Sequence, residues 1–294
     1  MMKPLKLPEA YTYIAAFLTM RCNLKCTYCL NTLDKNFHRN RSLEELSGEQ
    51  WVAALNRIES PPEIPVTLSG GEPSLHNDFI YIINHIKPEL NVDILTNLQW
   101  GAKGIERFIK EVDPKRVRRQ EPYTSIRVSY HPKQMNPLEL AQNVKRMQDA
   151  GFKIGIGAVL YPDPENLSLI SEAQYIFRKH GVDFWIKEFT GQYKDTTYGN
   201  YSKYPGATTG LKNKNVQCRI TELHISHTGD VYRCHRDLYV RENPIGSILD
   251  ENFQMEDKFR PCDKFGLCHP CDVKVKTDYK LEPNHTSVTI EELE

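Results

Sequence analysis

The sequence places three cysteines, Cys22, Cys26 and Cys29, within eight consecutive residues. With three and then two residues between them, the three thiols can converge on one metal centre. Four cysteines would complete a structural zinc site or an electron-transfer cluster, whereas three leave one coordination position open for a ligand that is not protein. The spacing therefore indicates chemistry at a metal. The alternative is a zinc site completed by a distant residue such as His38.

Length and charge limit the class of protein. The 294 residues suffice for one large domain and a smaller one. Equal numbers of basic and acidic residues, 38 of each, argue against a nucleic-acid or membrane partner and favour a small-molecule or peptide substrate. The chain has no apolar run of membrane-spanning length and no signal-peptide pattern. We therefore predict a cytoplasmic protein whose eight cysteines bind metals rather than form disulfides.

Apolar, β-prone runs alternate with helical patterns along the first two thirds of the chain. Such alternation with short connections predicts an α/β fold with a parallel sheet, in which ligands bind at the carboxyl ends of the strands. The predicted strands are residues 11–19, 64–68, 92–96, 125–129, 152–160 and 182–189, and the predicted helices are residues 47–58, 78–86, 103–111, 137–148 and 167–179.

A second motif follows the second predicted strand, about forty residues after the cysteines. It reads Gly70, Gly71, Glu72, Pro73. Paired glycines let a backbone approach a ligand closely because no Cβ atom intervenes. Alone, the tetrapeptide is typical of a tight turn. Its position after a strand and its pairing with the cysteine motif favour a ligand site.

These residues resemble the radical S-adenosylmethionine (SAM) enzymes, whose signature is Cys-x3-Cys-x2-Cys with an aromatic residue before the last cysteine, here Tyr28. The resemblance implies that Cys22, Cys26 and Cys29 hold three irons of a 4Fe-4S cluster, and that the fourth iron binds SAM. An electron from the reduced cluster would cleave SAM to a 5'-deoxyadenosyl radical that abstracts hydrogen from a substrate. A reductant such as flavodoxin or ferredoxin would supply the electron.

The resemblance also implies a partial, six-stranded TIM-like (β/α)6 barrel. In that family the Gly-Gly-Glu-Pro motif binds the methionine amino group. Further expected contacts to SAM are Ser129 to the ribose or carboxylate, Asn97 in support of it, and Ile156 and Gly157 to the adenine. For the serine and the asparagine, capping of the next loop is an equal alternative.

Two more polar residues, His131 and Glu188, fall at predicted strand ends, where a substrate would meet the radical. They are candidate catalytic residues. A structural hydrogen-bonding role is the alternative for each.

Five further cysteines follow residue 217. A β-hairpin predicted over residues 219–233 would bring Cys218 and Cys234 toward each other, as a shared metal requires. The pattern is similar to the SPASM and twitch extensions of the family, which open with a cysteine followed by Gly-x4-Cys, here Gly229 to Cys234. The full SPASM pattern uses seven cysteines for two clusters. Five cysteines predict the shorter, twitch-like form with one auxiliary 4Fe-4S cluster.

The preferred ligands of this auxiliary cluster are Cys218, Cys234, Cys268 and Cys271, because a CxxC knuckle commonly supplies two adjacent ligands. Cys262 is then left over as an exchangeable ligand, a hydrogen donor in the active site or an idle thiol. Zinc bound by four of the five cysteines is the alternative, since thiolate tetrads suit both metals.

The predicted organisation is a radical SAM barrel over residues 1–190, a linker or substrate-covering loop over 191–215, an auxiliary-cluster domain over 216–275 and a polar tail over 276–294. The predicted reaction is hydrogen abstraction from a peptide or small metabolite with an oxidative outcome, such as dehydrogenation or cross-linking. Only about ten residues precede the first predicted strand, which argues against a peptide-recognition domain there.

Two other functions fit the same sequence. One is a radical epimerase in which Cys262 returns a hydrogen atom to the substrate. The other is a nonenzymatic metal-binding or assembly protein built on the same scaffold.

Overall fold

The structure is a computed structural model that describes residues 3–33, 44–119, 123–212, 214–268, 271–273 and 286–293. His38, the alternative zinc ligand, lies outside the described residues, and so do residues 274–285 of the predicted cluster domain and tail. No helix in the described ranges is both long and apolar enough to cross a membrane.

The secondary structure of the described residues follows the predicted alternation. The strands are β1 (Leu5–Lys6), β2 (Tyr13–Thr19), β3 (Ile58–Glu59), β4 (Val66–Gly70), β5 (Val92–Thr96), β6 (Ile126–Tyr130), β7 (Ile154–Leu160), β8 (Phe184–Glu188), β9 (Gly191–Tyr193), β10 (Thr196–Tyr198), β11 (Val216–Ile220), β12 (Glu222–Ile225), β13 (Asp230–Tyr232), β14 (Gly246–Ser247), β15 (Arg260–Cys262) and β16 (Val288–Glu292). The α-helices are α1 (Gly48–Asn56), α2 (Phe79–His85), α3 (Gly101–Glu111), α4 (Pro137–Asp149), α5 (Pro164–Lys179) and α6 (His235–Val240).

The largest sheet has the strand order β14-β13-β12-β2-β4-β5-β6-β7-β8. From β2 to β8, neighbouring strands are parallel, and the five helices α1 to α5 lie between successive strands along the chain. The predicted α/β fold with a parallel sheet is therefore confirmed. The other edge of β2 pairs with β12, so β2 and β8 do not close the sheet on each other. An open sheet of this kind is consistent with a partial barrel.

The helix boundaries follow from capping residues that the sequence shows. The Ser47 hydroxyl accepts a hydrogen bond from the Gln50 N–H, and the Gln50 side chain accepts one from the Ser47 N–H, so α1 begins with a capping box. Asn136 caps α4 by accepting from the N–H groups of Leu138 and Glu139. Pro137 occupies the first turn of α4, where the missing N–H costs no hydrogen bond.

Strand β2 is buried on both faces, as expected for a strand inside a parallel sheet. On one face, Ile14, Ala16 and Leu18 join the main core beneath the helices. On the other face, Ala15 and Phe17 pack in a smaller cluster with Met20 and with Tyr232 and Leu238 from the C-terminal region. The C-terminal region therefore covers this face of β2.

The predicted hairpin near residue 219–233 forms as β12 and β13, but it is not set apart from the barrel. Strand β12 pairs in parallel with β2, with Leu223 opposite Ile14. Cys218 lies instead on β11, the central strand of an antiparallel sheet with the order β15-β11-β16. The predicted cluster domain of residues 216–275 therefore contributes β12, β13 and β14 to the main sheet.

Two other segments differ from the predicted organisation. The predicted linker contains the antiparallel pair β9 and β10. Strand β16 falls in the predicted polar tail and pairs with β11. Ser287 and Val288 are buried, so a surface tail is wrong for these residues. Their partner strand lies about seventy residues earlier in the chain, and no local pattern points to it.

Candidate active site

The three-cysteine loop, residues 22–29, follows β2, and the residues that lead into it contact the turn after β4. The Gly71 N–H donates to the carbonyl oxygen of Thr19, and the Glu72 N–H donates to that of Arg21, both over 2.8 Å. A Cβ atom on Gly71 would lie 2.1 Å from the Arg21 carbonyl oxygen. Gly71 therefore lets two backbone segments approach each other closely. The prediction from the sequence was that the paired glycines let the backbone approach a ligand.

Nitrogen donors point at two of the three cysteine sulfurs. The Leu24 N–H lies 3.5 Å from the Cys22 sulfur, and Gln134 Nε2 lies 3.5 Å from the Cys26 sulfur. Asn97 Nδ2 is 3.9 Å from the Cys22 sulfur. Such donors stabilise thiolates, the form that binds iron. Three thiols in one loop, with donors directed at them, fit the ligand set of a 4Fe-4S cluster.

Glu72 is fully buried, and its carboxylate organises the turn after β4. One oxygen accepts hydrogen bonds from the Thr96 hydroxyl (2.8 Å), the Trp100 indole N–H (3.1 Å) and the hydroxyl (2.7 Å) and N–H of Ser74. The other oxygen accepts from the Asn97 N–H over 2.7 Å. A buried charge with this many donors is well compensated. Glu72 thus fixes the end of β5, and Asn97 with it, beside the cysteine loop.

Arg21, the residue before the first cysteine, anchors the start of the loop. Its guanidinium forms an ion pair with Glu45 (2.9 Å) and donates to the carbonyl oxygen of Leu75 (2.6 Å). The Thr19 hydroxyl also donates to Glu45. The sequence predicted no role for these residues. The position of Arg21 next to Cys22 was the only indication of this anchor, because Glu45 lies in a stretch without a clear pattern.

A cleft of ≈ 320 Å³ opens beside Cys26 and is lined by Tyr28, His131 and Tyr161. Tyr28 stacks on Tyr161 with 4.9 Å between ring centroids, and its hydroxyl lies 2.9 Å from His131 Nδ1. Burial lowers the pKa of His131 to about 4, so the neutral ring accepts the hydrogen bond from Tyr28 at pH 7. Burial and the neighbouring Cys26 thiol raise the pKa of Tyr28, which keeps that hydroxyl protonated. The volume is at the lower end of small-molecule sites.

The other predicted site residues lie on β6, β7 and β8. Ser129 is half-buried and stands opposite Gly157 in the sheet. A Cβ atom on Gly157 would lie 2.4 Å from the indole nitrogen of Trp185, so this glycine makes room for the tryptophan. The side chain of Ile156 is fully buried, which leaves only its backbone for contact with a ligand. Glu188 is exposed at the end of β8.

The five C-terminal cysteines are neighbours of one another. Cys218 and Cys262 lie on the paired strands β11 and β15, and their thiols share a hydrogen bond. Cys262 also interacts with Cys268 and Cys271, and Cys218 interacts with Cys234. Cys262, which was not among the four predicted cluster ligands, therefore lies next to those four cysteines.

Burial gives these thiols an environment that suits a metal. It raises the pKa of Cys268 to about 11 and also raises the pKa values of Cys234 and Cys271. The guanidinium of Arg233 interacts with Cys218 and Cys234, so a positive charge faces the sulfurs. Thiols in such a setting stay protonated in water, and binding of a metal releases their protons.

Comparisons with known proteins agree with the family that the cysteine loop predicts. The sequence profile of the Radical SAM superfamily matches residues 17–167, just over half of the chain. A PqqA peptide cyclase of Bradyrhizobium diazoefficiens is 32% identical over 85 residues, which are 29% of this chain and 20% of that protein. A PqqA peptide cyclase of Rhodopseudomonas palustris is 35% identical over 90 residues, 31% of this chain and 22% of that protein. A probable GTP 3',8-cyclase of Methanocella arvoryzae is 34% identical over 80 residues, 27% of this chain and 24% of that protein.

The matched segments span about a fifth to a quarter of the length of these relatives. Among solved structures, native anSMEcpe with bound AdoMet is similar with a TM-score of 0.47 and 14% identity, over 84% of this chain and 78% of that chain. The superfamily profile contains the cysteine loop, the Glu72 turn and the strands β4 to β7 that hold them. The chain belongs to the Radical SAM superfamily, and it is an enzyme of this superfamily, whose members use a 4Fe-4S cluster and SAM.

Proposed function

We propose that this enzyme abstracts hydrogen from a peptide or small metabolite and that a second 4Fe-4S cluster assists an oxidative outcome. The observation that carries the proposal is the presence of two groups of cysteines. One group is the three-cysteine loop at the end of β2, and the other comprises the five neighbouring cysteines around β11 and β15. A second cluster can accept an electron after hydrogen abstraction, which favours dehydrogenation or cross-linking over isomerisation.

In this proposal Cys22, Cys26 and Cys29 hold the first cluster. When SAM is bound there, its reductive cleavage supplies the 5'-deoxyadenosyl radical. The residues of the chain bind and orient. The N–H groups of Gly71 and Glu72 bond Thr19 and Arg21, just before the cysteine loop, which supports the role of residues 70–73 in holding the methionine amino group.

Further cofactor contacts are proposed at the strand ends. Ser129 would bond the ribose or carboxylate of SAM, and the backbone of Ile156 and Gly157 would contact the adenine. Asn97 supports the cluster side of the site, because its side-chain nitrogen also donates to Asn23 of the cysteine loop over 2.8 Å. Tyr28 and His131 would position each other at the cleft through their hydrogen bond.

The second cluster would occupy a twitch-like region that begins near residue 216 and extends to Cys271. Cys218, Cys234, Cys268 and Cys271 remain the preferred ligands. The hydrogen bond between Cys262 and Cys218 makes Cys262 a competing ligand at the same centre. Four thiolates also suit zinc, so the identity of this metal is part of the test.

A peptide is the favoured substrate class. The support is the partial similarity to two PqqA peptide cyclases, whose name specifies a peptide. A flavodoxin or ferredoxin would serve as the reductant. Glu188 at the exposed end of β8 and His131 at the cleft are the proposed catalytic candidates for substrate contact.

Metal counting tests the two-cluster proposal. Anaerobically reconstituted protein should hold about eight irons, and the triple variant Cys22→Ala, Cys26→Ala, Cys29→Ala about four, with Mössbauer signals of 4Fe-4S clusters in both. Zinc at the C-terminal cysteines of the wild type, with only about four irons in total, would refute the auxiliary cluster.

The reaction is tested separately with reduced wild type, SAM and deuterium-labelled candidate substrates. Deuterium should appear in 5'-deoxyadenosine with a labelled peptide pool, and the unlabelled peptide should give a product two mass units lighter for each dehydrogenation or cross-link. In deuterated water, a product of the unlabelled peptide that is one mass unit heavier, because it carries one solvent deuterium, would identify an epimerase instead.

A further inference from the structure

A buried group of ionisable side chains lies between the main sheet and the C-terminal cysteines. Glu222 and His224 project from the same face of β12, and His235 is the first residue of α6. Asp272 directly follows Cys271. Exposed fractions are 2% for Glu222, 0% for His224 and 6% for Asp272. None of the roles proposed above uses these four residues.

The polar atoms of the group are close enough to share one ion. Glu222, His224 and His235 each offer a ligand atom within 4.8 Å of the other two. His224 Nε2 lies 3.0 Å from a carboxylate oxygen of Glu222. Two ligand atoms on one tetrahedral ion with bonds of ~2.1 Å lie ~3.4 Å apart. Small side-chain adjustments would therefore close the set around a metal.

His224 has an unpaired nitrogen in this environment. Its Nε2 is bonded to Glu222, but no partner for its Nδ1 lies within the described part of the chain. A buried ring nitrogen without a hydrogen bond is costly, and such atoms in native proteins call for an explanation. A metal ion at this site would re-orient the ring and give one of its nitrogens a strong bond.

The charges of the group also suit a cation. Glu222 and Asp272 bring two carboxylates into a buried space, where negative charges need polar partners. Glu222 already accepts a hydrogen bond from the Ser287 hydroxyl and lies 3.0 Å from His224 Nε2. A divalent cation would balance both. The Asp272 carboxylate accepts hydrogen bonds from His235 Nδ1 (2.8 Å) and from the His235 N–H (3.0 Å). With Nδ1 bonded to Asp272, Nε2 is the ring nitrogen of His235 that is left for a metal, and a carboxylate bonded in this way is a common partner of metal-ligating histidines.

We propose that Glu222, His224 and His235 bind a divalent transition-metal ion, zinc or ferrous iron, with Asp272 orienting His235. Two imidazoles and one carboxylate are a ligand set that both ions accept. This site is distinct from the cysteine sulfurs, because its donors are only nitrogen and oxygen. It does not depend on the reaction assigned under the proposed function.

The position of the site suggests what the ion does. Glu222 and His224 belong to a strand of the main sheet, whereas His235 follows Cys234 in the chain and Asp272 follows Cys271. The His235 ring also lies 6.4 Å from the ring of Phe17 on β2, measured between centroids. A bound ion would hold the C-terminal cysteines in a fixed place relative to β2, the strand that leads into the cysteine loop.

X-ray absorption and Mössbauer spectroscopy on the holoenzyme test the proposal. The protein is reconstituted with ⁵⁷Fe and sulfide, given one equivalent of Zn²⁺ and freed of loosely bound metal. The expected result is one metal per chain with nitrogen and oxygen ligands only. Zinc would show a first shell at ~2.0–2.1 Å, without the ~2.3 Å sulfur shell of cysteine ligands. Ferrous iron would give a high-spin doublet separate from the cluster signals.

Variants then assign the metal to this group. Glu222→Gln and His224→Ala should each lower the amount of this metal at least tenfold at equal free metal. His180→Ala is the matched control, since His180 bonds the Ile176 carbonyl oxygen at the end of α5 and should retain the metal. If His224→Ala does not fold, the near-isosteric Glu222→Gln decides. Absence of any nitrogen- and oxygen-ligated metal in the wild type, or full retention in Glu222→Gln, would overturn the proposal.

Discussion

At the scale of single residues, Gln134 links the cysteine loop to the segment between β6 and α4. Its side-chain oxygen accepts from the Lys25 N–H (2.6 Å), and its nitrogen donates to the Cys26 sulfur (3.5 Å). A donor to a ligand sulfur stabilises the reduced, more negative cluster and so raises its reduction potential.

We therefore expect Gln134→Leu to lower the reduction potential of the cluster in the cysteine loop. A hydrogen bond worth ~1 kcal/mol corresponds to ~40 mV for one electron. Redox titration followed by electron paramagnetic resonance measures the shift. Gln148→Leu is the control, because Gln148 donates to the Ile154 carbonyl oxygen instead. An unchanged potential in Gln134→Leu would show that the donor does not act on the cluster.

Gly71 allows a second test at the scale of single residues, because there is no space for a side chain at this position. An added Cβ atom would lie 2.1 Å from the Arg21 carbonyl oxygen and 2.5 Å from that of Met20. Gly71→Ala should destabilise the fold by ~2–3 kcal/mol and lower the iron bound by the cysteine loop, since the backbone must move. Gly181→Ala is the control, because its Cβ atom would meet nothing within 4 Å.

Iron content and urea unfolding measure both variants. The control still has a backbone φ of +66°, so a cost of ~1–2 kcal/mol from that conformation is expected, with full iron content. Equal iron content in both variants would mean that the close contact at Gly71 is not required for the cluster.

At the scale of secondary-structure elements, Arg57 joins three segments that are far apart in the sequence. Its guanidinium donates to the carbonyl oxygens of Lys3, Ile248, Asp250, Glu251 and Phe253. The residue is 5% exposed, so its guanidinium has little access to water that could replace these bonds. The five bonds connect the C-terminal end of α1 to the chain before β1 and to the turn after β14.

Arg57→Lys should lower the free energy of unfolding by ~2–4 kcal/mol, because an ammonium offers three donors and cannot reproduce the planar fork. The matched control is Arg107→Lys on α3, whose exposed ion pair with Glu111 should be worth less than ~1 kcal/mol. Urea unfolding followed by circular dichroism measures both. Equal losses in the two variants would contradict the role given to Arg57.

The same elements show why some of the fold was predictable. The bounds of β5 were predicted without error, and the capping box of α1 was visible as Ser47 and Gln50, because both signals lie within a few residues. The hydrogen bonds of Arg57 were not predictable, since four of the five acceptors are backbone oxygens of a segment almost two hundred residues away. Nor was the place of Cys262 beside Cys218, because that depends on the pairing of β11 with β15.

At the scale of the whole molecule, the unpredicted feature is the pairing of β12 with β2. Strand β2 is mostly apolar and β12 alternates polar and apolar residues, so each could be predicted as a strand from its own pattern. Their parallel register, with His224 opposite Ala15, joins residues about two hundred positions apart. The spacing of motifs along the sequence therefore predicted a barrel and a separate cluster domain. In the structure, the C-terminal region is part of the sheet that carries the cysteine loop.

This pairing predicts that residues 1–190 do not fold as an independent domain. Without β12, the backbone edge of β2 is unpaired, and Ala15, Phe17 and Met20 lose the cover of Tyr232 and Leu238. Exposed strand edges and apolar faces promote association. The fragment should therefore aggregate or unfold without cooperativity, in size-exclusion chromatography and hydrogen exchange. A fragment of residues 1–257, which keeps β12 to β14 and α6, is the control and should protect the amides of β2. A monomeric fragment 1–190 with a cooperative unfolding transition would instead mean that the barrel is complete without its C-terminal strands.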